Sequence, residues 1–344
     1  MLKHTLRRAL SAPWLRPAWS HLVTQRLAIV TLHRFALPDL GVPGHDPRQL
    51  GRALQRLRSE GYELLALDAA LARLRHGGGG APALVFTVDD GYADFAEVGA
   101  EVFAAYDCPV TVFLATDFVG GACWLWWDQI AYVLAHSERR ELQATLASEP
   151  LRLALESEPQ RQRLAGEVSV RCTRVDDVER RRFIAALAAA AEVELPATPP
   201  RRYAPLGWAQ ARALEARGVA FGPHSTSHPI LTRVSAEESA RQIRESWEAT
   251  RRELRRPLPV FSYPNGDFGP REVESVTACG LAAAVTTRPV YASAAAYRAP
   301  SGAYTVPRFP YPEEPEALCL LASGFSRLSD GLRRRLRPRT SPGG

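Results

Sequence analysis

An α/β fold built on parallel strands, either an open sheet or a barrel, is the architecture the sequence predicts, and three observations predict it. Short apolar runs rich in β-branched residues alternate with segments of helical spacing over most of the chain. Several of these runs end on a residue able to do chemistry: His33 after Arg26 to Leu32, Asp89 and Asp90 after Ala83 to Val88, and His224 after Gly218 to Gly222. The carboxyl ends of parallel strands are where such folds place their working groups. Glycine and proline then punctuate the boundaries, as at Gly61, at Gly77 to Gly80 and at Pro264-Asn265-Gly266.

Taken in order, Arg26 to Leu32 is the first predicted strand. Leu50, Leu54 and Leu57 give a helix over Asp46 to Glu60 that stops at Gly61. A strand over Tyr62 to Leu67 and a helix over Asp68 to Arg75 follow. Ala83 to Val88 is the most apolar strand, and it breaks abruptly into Asp89-Asp90-Gly91. Read alone, that triplet is as much a turn as a site, because Asp-Gly is a common turn dipeptide. Phe95 to Tyr106 reads as helix and Val110 to Leu114 as strand.

The rhythm breaks after Gly120-Gly121. An insertion over about residues 121–205 opens with Trp124, Trp126, Trp127 and Asp128, and from Ser137 to about Ala197 its Ala- and Leu-rich, charged sequence predicts helices. The three tryptophans suit either a sugar-stacking platform or a core anchor. Alternation then resumes: helix over Trp208 to Arg217, strand to Gly222, helix over Ala236 to Arg255, and strand over Leu258 to Tyr263. Helix over Arg271 to Cys279, strands over Leu281 to Thr286 and Tyr304 to Phe309, and a closing helix over Glu314 to Phe325 complete it. No internal repeat is visible. The expected domains are a basic amphipathic segment over 1–25, a catalytic body over 26–328 and a basic disordered tail over 329–344.

Composition narrows the function. The net charge of +6 is carried at the two ends, by Lys3, Arg7, Arg8, Arg16 and Arg26 and by an arginine-rich tail, so the body between them is mildly acidic. That argues against nucleic acid as a partner, which would call for a basic face on the folded domain. Five scattered cysteines without CxxC spacing argue against a disulfide framework and against a cysteine-based zinc site, and they fit a reducing compartment. Pro13, Arg16, Pro17 and His21 interrupt the apolar residues of the first 23, so no signal peptide is expected. The expected location is cytoplasmic. Trp14, Leu15, Trp19, Leu22 and Val23 could lie at an anionic membrane surface, or pack as a helix on the domain's flank. The sequence leaves oligomeric state open.

His224-Ser-Thr-Ser-His228 is the second informative stretch. Two histidines four residues apart, in a turn bounded by Pro223 and Pro229, could ligate one metal ion. With a carboxylate from the strand-terminal aspartate pair they make a two-imidazole, one-carboxylate set with positions left open. Such a set suits a divalent ion that activates water, zinc first and cobalt or nickel as alternatives.

With these motifs in hand, the chain resembles the polysaccharide deacetylase family, carbohydrate esterase family 4, in its exopolysaccharide-type branch. Thr87-Val-Asp-Asp-Gly91 is similar to the family's Thr-Phe-Asp-Asp-Gly. His224-Ser-Thr-Ser-His228 matches its His-[Ser/Thr]-x-x-His, and Phe261-Ser-Tyr-Pro-Asn-Gly266 resembles its third motif. The likeness spans about residues 26 to 312 without most of the insertion. It implies a deformed (β/α) barrel with a helical insertion and a metal held by Asp90, His224 and His228. It implies Asp89 as the general base, and an oxyanion site near Asn265 flanked by Pro264 and Tyr92. The implied activity is removal of N-acetyl groups from an N-acetylated oligo- or polysaccharide or its precursor.

Two departures from the family pattern matter. Many members carry a late Leu-x-His whose histidine protonates the leaving amine, and no histidine follows His228 here. An acid is still required, and His33 at the end of the first strand can supply it; the alternative is a histidine that merely ends a strand. The arginine that orients the base would fall near Ser262. Arg308, in Val-Pro-Arg-Phe, can replace it by position, or form a structural salt bridge. A catalytically silent sugar-binding protein and a hydrolase of a different amide are the competing functions.

Overall fold

Ala83–Val88 is buried along its whole length, and that two-sided burial is the key to the architecture. The computed structural model describes residues 26–312 and 314–325; the N-terminal segment and most of the tail discussed above lie outside the described residues. Strands β1 (Arg26–Leu32), β2 (Glu63–Leu65), β3 (Ala83–Val88) and β4 (Val110–Leu114) alternate with helices α1 (Pro47–Ser59), α2 (Leu67–Arg75) and α3 (Ala100–Ala105). A one-turn helix α4 (Thr116–Val119) follows β4, and the insertion opens with α5 (Trp126–His136). It continues through strands β5 (Glu141–Leu146) and β6 (Glu149–Ala154) and helices α6 (Glu158–Cys172) and α7 (Asp177–Ala190). The body resumes with α8 (Trp208–Ala216), β7 (Ala220–Pro223), α9 (Ala236–Glu253), β8 (Val260–Ser262), α10 (Pro270–Ala278) and β9 (Ala283–Val285). Short elements finish it: β10 (Ala292–Ser293), α11 (Ala294–Arg298), β11 (Phe309–Pro310) and α12 (Pro315–Ala322).

The strands form a parallel ring with loose joints. β1 pairs with β3, β3 with β4 and β4 with β7, all parallel, and β8 pairs parallel with β9. One hydrogen bond, Leu258 N–H to Phe221 C=O at 2.7 Å, links the segment before β8 to β7. A bridge from Val285 to Val306 leads towards β11, which pairs parallel with β1. This is a deformed (β/α) barrel. Its interior is a separate apolar cluster that includes Leu27, Ile29, Val85, Phe113, Val260 and Val285. The other set of alternating residues, including Val30, Leu32, Leu84, Phe86 and Val88, packs outward against Leu50, Leu54 and Leu57 of α1. Each such leucine contributes roughly 1.5–3 kcal/mol by leaving water.

This alternation aims the site. On β1 the inward set Leu27, Ile29, Thr31 continues to His33; on β3 the inward set Val85, Thr87 continues to Asp89. The strands are in register, Leu32 opposite Val88, so His33 and Asp89 emerge side by side at one mouth.

The insertion differs from the helical expectation. Residues 141–154 form an antiparallel β-hairpin, with Ala147 and Ser148 at its turn both at positive φ (48° and 68°). Leu142, Leu146, Leu151 and Leu153 bury one face of it in a cluster with Val168, Phe183 and Leu187. The strand period was present in Leu142-x-x-x-Leu146 and Leu151-x-Leu153-x-Leu155, beneath a composition that favours helix. The last predicted strand also shrinks, from Tyr304 to Phe309 down to Phe309–Pro310, because Pro307 has no N–H to donate to a ladder.

Candidate metal centre

Asp90 turns back from the end of β3 in the left-handed region, φ 75°, followed by Gly91 at φ 87°. A Cβ on Gly91 would lie 2.9 Å from both Leu114 and Val119, so glycine is required sterically as well as conformationally. Ser225, His228 and Asn265 also have positive φ. Left-handed non-glycine residues are uncommon, and gathering four of them at one mouth marks a backbone held in shape by its surroundings.

Those surroundings are specific. Gln242 of α9 uses its side-chain oxygen to accept from Thr226 N–H (3.0 Å), Thr226 Oγ1 (2.8 Å) and Ser227 N–H (3.1 Å). Ser225 Oγ accepts from His228 N–H at 3.1 Å, and Ser225 and Thr226 carbonyls accept from Thr116 and Asp117 of α4. The loop carrying both histidines is thus pinned from two helices. Ser262 C=O lies 2.7 Å from His224 Nδ1, which leaves Nε2 facing the cluster.

Asp90, His224 and His228 each present a ligand atom within 4.8 Å of the others, and all three are buried. His224 Nε2 and His228 Nε2 both lie 3.5 Å from Asp90 Oδ1. Asp90 Oδ1 and His228 Nδ1 have no hydrogen-bond partner among the described residues. A buried carboxylate oxygen without a donor is costly, and a cation between the three residues would satisfy it. The donor set fits a divalent metal ion. Electrostatics agree. Burial and the neighbouring His224 push the His228 imidazole down to about 3, so it is neutral and available as a ligand. Burial also works against a charge on His224, but Asp89 and Asp90 outweigh it and raise its pKa.

Asp89 faces the other way. Arg308, fully buried, sends Nη1 to Asp89 Oδ1 (2.7 Å) and Nη2 to Asp89 Oδ2 (2.6 Å). The same guanidinium also reaches Thr87 Oγ1 (3.0 Å), Ser262 Oγ (2.9 Å) and Thr286 C=O (3.1 Å). Burial disfavours the Asp89 carboxylate, yet Arg308 and then His224 overcome it and hold its pKa well below the usual carboxylate range. Burial likewise opposes ionised Asp90, and the adjacent His224, with His33 and His228, lowers its pKa. Ser262 thus bonds the guanidinium that arrives from the segment before β11.

A cavity of about 630 Å³ opens onto Asp89, Asp90, His224 and His228, with His33 exposed on its wall. Asn265 lines it and is exposed; Pro264 is buried beneath, starting the turn. Gly266 is the tight point of that turn, since a Cβ there would lie 2.0 Å from Thr287 Oγ1.

Tyr92 stands beside this cluster. Its ring lines the cavity, but its hydroxyl donates to Asp128 Oδ2 (2.6 Å) and accepts from Trp127 Nε1 (2.8 Å), so it is committed within the protein. Arg34 lies over the Tyr92 ring at 3.9 Å and pairs with Asp94 at 2.6 Å. Trp127 sits edge-on to the His228 ring, centroids 4.7 Å apart. The insertion's first helix therefore braces a metal-cluster histidine through Asp128, Tyr92 and Trp127. The tryptophans divide: Trp126 and Trp127 line the cavity, while Trp124 is buried against Tyr132 and Tyr203. Sequence reasoning missed Arg34, Asp94, Ser262 and Thr286, and missed Ser169, Val170 and Thr173, which the insertion brings to the cavity wall.

Fold and site together define a deformed (β/α) barrel that carries, at one mouth, an Asp-His-His cluster able to hold a metal ion. The model of the family "Polysaccharide deacetylase" matches residues 175–284, taking in His224, His228 and the Asn265 turn. The sheet brings Asp89 and Asp90 to that segment from outside the match. The fold is similar to that of the Streptococcus pyogenes deacetylase PplD, solved with acetate: 17% identity, 85% of this chain and 96% of that one, TM-score 0.55. It is similar too to IcaB from Ammonifex degensii (14% identity, 87% and 97%, TM-score 0.53). A polysaccharide deacetylase from Bacillus cereus aligns at 12% identity over 86% and 69%, TM-score 0.52. No curated protein sequence matches the chain. The chain is thus similar to polysaccharide deacetylases in sequence over residues 175–284 and in fold over most of its length.

Proposed function

We propose that this chain removes N-acetyl groups from an N-acetylated exopolysaccharide or its precursor, with zinc as the ion held by Asp90, His224 and His228. One observation carries the reading: a three-ligand cluster, a carboxylate gripped by arginine and a free-standing histidine converge on one cavity.

A divalent ion bound there would polarise the amide carbonyl and acidify water. The residues supply the rest. Asp89, kept ionised and fixed in orientation by Arg308, accepts the proton of the attacking water. Because Arg308 makes it a weak base, it would depend on a bound ion to acidify that water. Asn265 and its turn border the position of the developing oxyanion. His33, in register beside Asp89 and exposed to the cavity, delivers a proton to the departing amine as the C–N bond breaks. Base and acid thus stand on neighbouring strands.

The test is incubation of the zinc-loaded protein with N-acetylated glycans, followed by measurement of free acetate and of new glycan amines in equal amounts. Absence of both from every acetylated glycan, with metal bound, would favour a sugar-binding protein instead.

A further inference from the structure

The insertion carries a second groove, larger than the catalytic cavity, and it joins that cavity at one residue. It has a volume of about 970 Å³ and runs between α6 and the turn of the β5–β6 hairpin. Its floor includes Gly166 and Val170, and its sides include Arg163, Glu167, Arg171 and Arg174. Val170 lines both the groove and the catalytic cavity.

Two features of α6 have no structural purpose on this face. Val170 is 57% exposed although the helix buries Ala165, Val168 and Cys172 elsewhere. Gly166 sits mid-helix, where glycine is less favourable than alanine. A Cβ there would meet nothing within 4 Å, so no neighbour requires its small size. Such a glycine leaves the floor low for something outside the protein to approach. The flanking arginines are in keeping with this, since Arg163, Arg171 and Arg174 form no ion pair among the described residues, unlike Arg180 and Arg181 of the next helix.

We infer that this groove holds further sugar units of the glycan whose acetylated residue occupies the metal site. The inference rests on the deacetylase reading above and names where the rest of that substrate lies. The arginines supply donors, and Glu167 and Glu149 supply acceptors, for hydroxyl and acetamido groups. The chain would pass over Val170, whose exposed methyls suit the apolar face of a sugar ring. The enzyme is then selective for length: it acts on a strand rather than on a single residue.

Filling the floor tests this, because Gly166 opens on empty space and Gly166→Phe meets no fold constraint. The probes are N-acetylglucosamine disaccharide and hexasaccharide, with zinc-loaded full-length protein. The wild type should favour the hexasaccharide in kcat/KM, and Gly166→Phe should cut the hexasaccharide-to-disaccharide ratio about tenfold. Arg171→Gln with Arg174→Gln should lower the same ratio. Calorimetry of hexasaccharide binding to metal-free protein gives a readout independent of catalysis. If the wild type deacetylates neither probe, the deacetylase reading fails, and hexasaccharide binding that Gly166→Phe weakens would still uphold the groove. A ratio unmoved by either variant, or binding identical in wild type and Gly166→Phe, overturns it.

Discussion

Arg308 and Asp89, 219 residues apart in sequence, are joined by two parallel hydrogen bonds of 2.7 and 2.6 Å in a place closed to solvent. A planar fork matches a carboxylate in a way that a lysine ammonium does not. Arg308→Lys should therefore lower turnover by about 10²-fold or more while zinc affinity, measured by titration, stays within a few-fold. Arg308→Met leaves a buried carboxylate unpaired and should cost about 3–5 kcal/mol of stability in denaturant unfolding. Equal loss of turnover and metal affinity in the lysine variant would show that the pair is structural.

His33 is expected to act on the leaving group and not on the metal. His33→Ala should reduce kcat by roughly 10²–10⁴-fold with full zinc content by atomic absorption. Wild-type turnover in that variant would remove His33 from the mechanism.

Metal binding should respond to pH with a definite sign. Asp89 and Asp90 raise the His224 pKa against the effect of burial, so a proton and the ion compete for the same cluster. Zinc affinity should rise with pH through the imidazole range and fall on acidification, and calorimetry in buffers of different ionisation enthalpy should detect proton release on binding. Asp90→Asn should abolish tight binding at all pH values.

Asp128 gives a stability prediction. Burial pushes its carboxyl up to about 7, while the hydrogen bond from Tyr92 partly opposes this. A carboxyl raised above its unfolded value near 3.8 contributes most below that value. That contribution is lost as pH rises towards and through about 7. The wild type should lose Tm between about pH 4 and 7 more steeply than Asp128→Asn; parallel profiles would rule this out.

Trp127 tests the brace on His228. Trp127→Phe forfeits the 2.8 Å bond to Tyr92 but keeps a ring beside His228, and should cost about 1 kcal/mol with zinc affinity little changed. Trp127→Ala removes the ring as well, and zinc affinity should fall about tenfold.

Much of this was legible in the sequence for a physical reason. Asp89, Asp90, His33 and His224 each follow a strand whose apolar run and period can be read directly, so their shared mouth follows from parallel alternation. Arg308 was legible only as a position, because its partners Thr87, Ser262 and Thr286 come from three other strand ends that only closure of the ring brings together. The hairpin of the insertion was masked by alanine and leucine, and its turn by the lack of an Asn-Gly signal. The internal role of the Tyr92 hydroxyl could not be foreseen, since Asp128 and Trp127 reach it from 36 and 35 residues away.

The most direct measurement is acetate release from N-acetylglucosamine oligomers by chelator-stripped protein as zinc is added back. The account predicts no release without metal, release that saturates at one zinc per chain, and none from zinc-loaded Asp89→Asn. Undiminished release from the stripped protein, or from Asp89→Asn, would contradict it.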